Sequence, residues 1–213
     1  MKVISVLNQK GGSGKTTIAT HLARGFQMMG QEVLLVDSDP QGSSRDWAAS
    51  NPNCPVCTIG IDRPTIHRDL KGIVKKDIVI IDGAPQAQDL AVSAITASDM
   101  VLIPVQPSPY DIWAASDLVE LVKQRIEITE GKLLAAFIIS RAIKGTKISA
   151  EVAEALIQYG LPVFRSRTNQ RVIYPTSAST GMTVMDLEPN SDAATEIHEL
   201  VKEITDFFVK QKS

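Results

Sequence analysis

Cysteine is almost absent: Cys54 and Cys57, in the stretch NPNCPVC, are the only two in the chain. Two thiols cannot by themselves close a structural zinc site, and the three histidines (His21, His67 and His198) show no ligand spacing. A thioredoxin-like pair belongs at a strand-to-helix turn, whereas this one is flanked by Pro, Asn and Thr. Two plain thiols in a loop or edge strand are expected. Aromatic residues are sparse at 5% and form no stacking platform for bases. No apolar run approaches the roughly 18 to 20 residues that a membrane span needs. The opening MKVISVLN lacks the apolar region and small-residue cleavage site of a secretion signal, so a cytoplasmic location is expected. Charge of neither sign dominates. With a formal net charge of −2 the molecule is no polycation, and any nucleic-acid surface must be local.

What is present is enough apolar residue, 44% of 213, to bury a full core as one large domain or two small ones. Short apolar runs alternate with helix-length segments, the rhythm of a parallel sheet covered on both faces. Strands are expected at 2–8, 32–39, 55–61, 77–83, 100–106, 132–140 and 161–166. Helices are expected at 15–30, from 43, at 63–75, 87–98, 111–129, 149–160 and over the last 20 or so residues. There is no internal repeat and no Pro- or Ser-rich linker. The expectation is one α/β domain over residues 1–213, a doubly wound, mostly parallel sheet flanked by helices.

Between the first strand and first helix lies NQKGGSGKTT, residues 8–17. Strand, glycine turn, then Gly14-Lys15-Thr16 opening a helix is how a phosphate cradle is built. Successive backbone N–H groups and the helix N-terminus point at the anion, and glycines let the backbone approach it. Lys15 is placed to contact the β- and γ-phosphates and the Thr16 hydroxyl to meet Mg²⁺. The match to G-x-x-x-x-G-K-[ST] departs in one place: Gln9 stands where the first Gly belongs, and the loop carries an additional lysine, Lys10.

That departure resembles the deviant Walker A motif, K-G-G-x-G-K-[ST], of the ParA/MinD family of dimeric ATPases. The resemblance continues in VLLVDSDPQGSS, in DIVIIDGAP and in PVQPSPYDIWAA, and covers essentially the whole chain. It implies that ATP and Mg²⁺ are bound, that ATP and water are converted to ADP and phosphate, and that Lys10 reaches across a homodimer to the partner's nucleotide. Gly11, Gly12, Ser13, Gly14, Lys15, Thr16 and Thr17 would cradle the nucleotide, with Arg141 added to that set. Asp39 would orient the attacking water, with Asp37 close to the Mg²⁺ shell and Asp82 holding a metal-bound water.

Three branches of the family compete. A metal-loading ATPase would carry bridging cysteines after DIVIID, and DGAPQAQ has none. A MinD-type ATPase, which binds membrane through an amphipathic last helix, is the alternative reading. Here ATEIHELVKEITDFFVKQ has an apolar stripe (Ile197, Leu200, Val201, Ile204, Phe207, Phe208), but Glu196, Glu199, Glu203 and Asp206 face Lys202 and Lys210. Anionic lipid favours Lys and Arg there, so core packing is expected. The ParA branch fits best: between 141 and 171 lie Arg141, Lys144, Lys147, Arg165, Arg167 and Arg171 against Glu151 and Glu154. FRSRTNQRVIYPTSASTG resembles the ParA segment whose arginines touch DNA, which implies non-specific DNA contacts by Arg165, Arg167 and Arg171 and a nucleoid-associated location. The resemblance further implies a ParB-like or adaptor protein that stimulates hydrolysis, and a cargo that is segregated or positioned.

Overall fold

In the computed structural model, which describes residues 1–73, 76–145 and 148–210, seven strands form one sheet in the order β3-β2-β4-β1-β5-β6-β7. They are β1 (Lys2–Val6), β2 (Val33–Asp37), β3 (Cys57–Gly60), β4 (Ile78–Asp82), β5 (Met100–Val105), β6 (Leu134–Ala142) and β7 (Val163–Asn169). Every pairing is parallel. The helices are α1 (Lys15–Met28), α2 (Ser43–Ala49), α3 (Ile66–Asp69), α4 (Gln88–Ala97), α5 (Pro109–Trp113), α6 (Ser116–Ile128), α7 (Ile148–Ile157), α8 (Ile173–Ala178), α9 (Val184–Leu187) and α10 (Asp192–Lys210).

The central strands are apolar on both faces because helices cover both. Alternate residues go to opposite cores, as the period of two requires. On β1, Ile4 and Val6 join Ile18, Leu22, Phe26, Ile197 and Leu200 on the side of α1 and α10. Val3 and Leu7 join Leu90, Ile95, Leu118 and Val122 on the side of α4 and α6. Strands β4 and β5 divide in the same way.

Several boundaries differ from the expectation. The helix expected at 63–75 is only the turn of α3 followed by a 3₁₀ turn, Leu70–Gly72, after which Ile73 is extended. Val74 and Lys75 lie outside the described residues, as does Lys147. The helix expected at 111–129 begins earlier, with Pro109 in its first turn, and is split at Ala114–Ala115 into α5 and α6. Both α8 and α9 are additions. Their sequence, YPTSASTGMTVMD, is dense in Pro, Ser, Thr and Gly and carries no helical stripe, yet α9 opens with a reciprocal cap between Thr183 and Asp186.

Helix α1 fits against α10 at Gly25, where a Cβ would lie 2.7 Å from the Val201 side chain. It is tied to α9 by His21, which is 1% exposed. The His21 Nε2 accepts the Val184 N–H at 3.1 Å, so the ring proton is on Nδ1, which donates to the Thr17 carbonyl at 2.7 Å. Burial holds the imidazolium form off, lowering its pKa to about 4 against the pull of the Thr17 carbonyl and Asp186. The unfolded chain takes up this proton near pH 6.5 and the folded one only near 4. The His21 contribution is therefore whole above pH 6.5 and is lost as pH falls toward 4, costing about 2 kcal/mol by pH 5. Urea unfolding at pH 7.5 and 5 should show this loss, and His21→Gln should remove that part of the pH dependence.

Candidate functional site

Strand β1 lies between β4 and β5, where successive connections leave in opposite directions, and ligands of open α/β sheets bind at the carboxyl ends of strands at such a point. The loop from Leu7 to Gly14 emerges there. Gly12 (φ 75°) and Gly14 (φ 98°) adopt left-handed backbone that side chains resist, and Gly14 leads directly into α1. Three residues that the sequence did not single out pin the loop. The Asn8 Nδ2 donates to the Pro104 carbonyl at 2.7 Å while its Oδ1 accepts the Lys10 N–H at 2.8 Å. The Gln106 Nε2 donates to the Gly12 carbonyl and the Ser140 hydroxyl to the Ser13 carbonyl, both at 2.6 Å. Polar residues at the ends of β1, β5 and β6 are the only signal that could have found them.

The loop carries two lysines with different fates. Lys15 is buried and its Nζ donates to the Lys10 carbonyl at 3.0 Å. Burial lowers its pKa, opposed by the charges of Asp82 and Asp39. Lys10 pairs with Asp111 at 2.6 Å.

The three aspartates meet at the ends of neighbouring strands. Asp37 and Asp82 are register partners of β2 and β4, both fully buried. Both oxygens of Asp37 are engaged: Oδ1 accepts the Asp39 N–H, and Oδ2 accepts the Arg45 N–H and faces its guanidinium. Asp39 is half-buried, and its Oδ1 accepts the Gln41 N–H at 2.9 Å, a turn-forming contact. Asp82 is different. Its Oδ2 accepts the Ser44 hydroxyl, but its Oδ1 is a buried oxygen with no hydrogen-bond partner. Burial pushes its pKa up to about 7, with the hydroxyls of Ser44 and Thr16 pulling it down, Asp37 adding to the rise and Lys15 opposing it. Directly after it only glycine fits, since a Cβ on Gly83 would collide with Leu7 and lie 2.9 Å from the Val6 carbonyl.

An orphaned carboxylate oxygen beside the Thr16 hydroxyl suits a hard cation with oxygen ligands. Among the described residues no cluster of three or more His, Cys, Asp or Glu forms an all-protein metal cage. The donor set therefore matches Mg²⁺, which keeps waters and takes its remaining ligands from phosphate.

Beside Gly14 and Thr17 opens a cleft of about 740 Å³, walled on its far side by Arg141, Thr168, Tyr174 and Pro175. That volume is within the range of small-molecule sites. Arg141 is exposed with φ 52°, at a register irregularity between β6 and β7. Such irregularities re-aim side chains near functional sites.

The basic residues of β7 and the segment after it separate into two kinds. Arg165 and Arg167 project from the exposed face of the edge strand β7, and neither guanidinium has an ion pair among the described residues. Arg171 is half-buried and committed to ion pairs within the subunit, at 2.7 Å from Glu196 and 3.2 Å from Asp192. Glu196 also accepts from the Asn169 amide groups and the Tyr174 hydroxyl. The acidic side of α10 is thus only partly a solvent face: Glu196 and Glu203 accept N–H groups of Asn169, Arg165 and Ser166 along the edge of β7. The apolar stripe of α10 packs into the core through Ile197, Leu200, Val201 and Ile204, with Phe207 and Phe208 against it. No helix among the described residues is long and apolar enough to cross a membrane.

Comparison with known proteins bears on the family. The chain is 30% identical over 208 residues to the Maintenance of carboxysome distribution protein A of Halothiobacillus neapolitanus, covering 94% of this chain and 95% of that one. It is 27% identical to the Sporulation initiation inhibitor protein Soj of Bacillus subtilis, covering 95% and 98%. Among solved structures, the ATP complex of McdA from Cyanothece superposes with a TM-score of 0.76 at 21% identity, covering 95% of each chain. MinD with Mg-ADP from Pyrococcus horikoshii does so at 0.73 and 18%, again covering 95% of each. Residues 4–184 match the model of the CobQ/CobB/MinD/ParA nucleotide binding domain, and the chain belongs to that family, on its ParA-like ATPase side.

Proposed function

We propose that this protein is a ParA-type ATPase that dimerises on ATP, binds DNA without sequence preference and positions a cargo under the control of a stimulating partner. The observation that carries the reading is the buried pair of Lys15 and the orphaned Asp82 oxygen at the mouth of a glycine cradle. A cation and a cation-seeking carboxylate held there serve little purpose other than a bound, Mg²⁺-associated polyphosphate. The relative that positions carboxysomes favours a large protein assembly as cargo over a plasmid or chromosome.

In this reading the amides from Gly11 to Thr16 and the Lys15 ammonium hold the phosphates. Arg141 and Thr17 border the nucleoside in the adjoining cleft. Thr16 and Asp82 would hold Mg²⁺, which when bound neutralises phosphate charge. Asp37 shapes the turn that presents Asp39, and Asp39 orients water once its contact with the Gln41 N–H is exchanged. Lys10 supplies a cation to the partner's nucleotide. Arg165 and Arg167 contact DNA phosphates. The alternative, a MinD-type membrane association through the last helix, is disfavoured because the apolar stripe of α10 is occupied by the core.

Lys15→Ala should abolish nucleotide binding, seen as loss of the ADP-induced rise in melting temperature. An unchanged rise would refute the cradle assignment.

Asp39→Ala should bind ATP and dimerise by light scattering but turn over at least 100-fold more slowly, on the scale of a lost positioning or charge-compensating group. Hydrolysis at the parental rate would show Asp39 to be a turn residue alone.

The arginines should divide. Arg165→Ala or Arg167→Ala should lower the slope of log affinity against log salt by about one per contact on two unrelated duplexes, with stability unchanged. Arg171→Ala should instead cost roughly 1–3 kcal/mol of stability, because Glu196 loses its charged donor. Equal DNA binding by Arg165→Ala, Arg167→Ala and parent would remove β7 from the interface.

A further inference from the structure

The second lysine of the loop is not idle in the single subunit. Its Nζ lies 2.6 Å from Asp111 Oδ2, and Asp111 is 2% exposed. The other oxygen, Oδ1, is buried with no hydrogen-bond partner. Among the described residues Lys10 is thus the one cation against this carboxylate, and its ammonium is the one donor the carboxylate receives. The backbone reinforces the arrangement: the Lys10 N–H is held by Asn8 Oδ1, and its carbonyl accepts the Lys15 ammonium. Asp111 itself sits in the short helix α5, anchored below by Ile112 in the core and by the Tyr159 hydroxyl on the Ile112 carbonyl.

We infer that Asp111 is the resting counter-ion of Lys10, a positioning residue that holds the lysine on its own subunit and so sets the threshold at which ATP closes the dimer. The inference rests on the reading of Lys10 as the cross-dimer lysine and adds its competing site. A carboxylate buried with a single cationic partner is strongly destabilised when that partner leaves, because nothing else offsets its desolvation. Transfer of Lys10 to a second subunit's nucleotide therefore carries a penalty that exists only while Asp111 is charged. The same pair holds the Lys10 ammonium on Asp111, while the Lys15 ammonium is held by the Lys10 carbonyl. Asparagine at 111 keeps the shape and removes the charge, so both the attraction that retains Lys10 and the penalty for its departure vanish.

The test is a double-mutant cycle read by dimerisation on a non-hydrolysable ATP analogue, using sedimentation of wild type, Asp111→Asn, Lys10→Ala and the double variant. Asp111→Asn should tighten the dimer by about fivefold or more, the scale of an ordinary coupling between sites. In the Lys10→Ala background the same substitution should change nothing, an outcome that loosened packing around α5 would not produce. A dimer weakened by Asp111→Asn, or shifted equally in both backgrounds, overturns the inference. The parent reading fails separately, if Lys10→Ala dimerises as the wild type does. Should Asp111→Asn fold poorly, the wild-type chain carries the test through the ¹⁵N-labelled Lys10 ammonium. A slowly exchanging signal in the nucleotide-free protein that disappears on adding the analogue supports the latch, and a rapidly exchanging ammonium without nucleotide overturns it.

Discussion

Burying Asp37 and Asp82 side by side is the constraint around which the functional end of the sheet is arranged. The parallel register of β2 and β4 places these two carboxylates next to one another, out of water. Like charges so placed repel, and each also lacks solvation. The surroundings answer this residue by residue. Asp37 is satisfied by the Asp39 and Arg45 N–H groups, which bends residues 38–45 into the turn that opens α2. Asp82 receives the Ser44 hydroxyl from the same helix and the nearby charge of Lys15. One oxygen is left over, and the unpaired remainder is where the chemistry of the site is concentrated.

The glycine loop is shaped as much by its neighbours as by its own glycines. Left-handed backbone at Gly12 and Gly14 permits the cradle, but Asn8, Gln106 and Ser140 select one shape among those permitted. These contacts come from residues at the ends of three adjacent strands, β1, β5 and β6, so the loop is anchored to the middle of the sheet. Lys15 is held by the loop's own Lys10 carbonyl, whereas Lys10 is held by Asp111, a partner that the loop alone does not contain.

At the other edge of the sheet, β7 is an exposed parallel edge strand, a natural template for unwanted pairing. Glu196 and Glu203, seven residues apart on α10, occupy its free N–H groups. This arrangement leaves Arg165 and Arg167 facing outward and draws Arg171 inward. A row of basic residues equivalent in the sequence is thereby divided into unpaired surface charge and a paired arginine.

Alternating apolar runs and helix-length segments were sufficient to read a parallel sheet covered on both faces, because each buried strand must be apolar throughout. The glycine loop between β1 and α1 was legible for a similar reason: its glycines, Lys15 and Thr16 are local in sequence. The short helices α8 and α9 were not legible, since neither carries a periodic stripe and the start of α9 depends on Thr183, Asp186 and the His21 ring. The split between α5 and α6 was likewise hidden. Sequence determined which residues could meet a phosphate or a metal, by type and by position at strand ends. Only the tertiary structure decided that Asp82 keeps a free oxygen while Asp37 does not, that Arg171 is paired with Glu196, and that Lys10 is held by Asp111, 101 residues away. Each of those outcomes turns on which donor or charge lies within about 3 Å across the fold, and sequence separation carries no information about that distance.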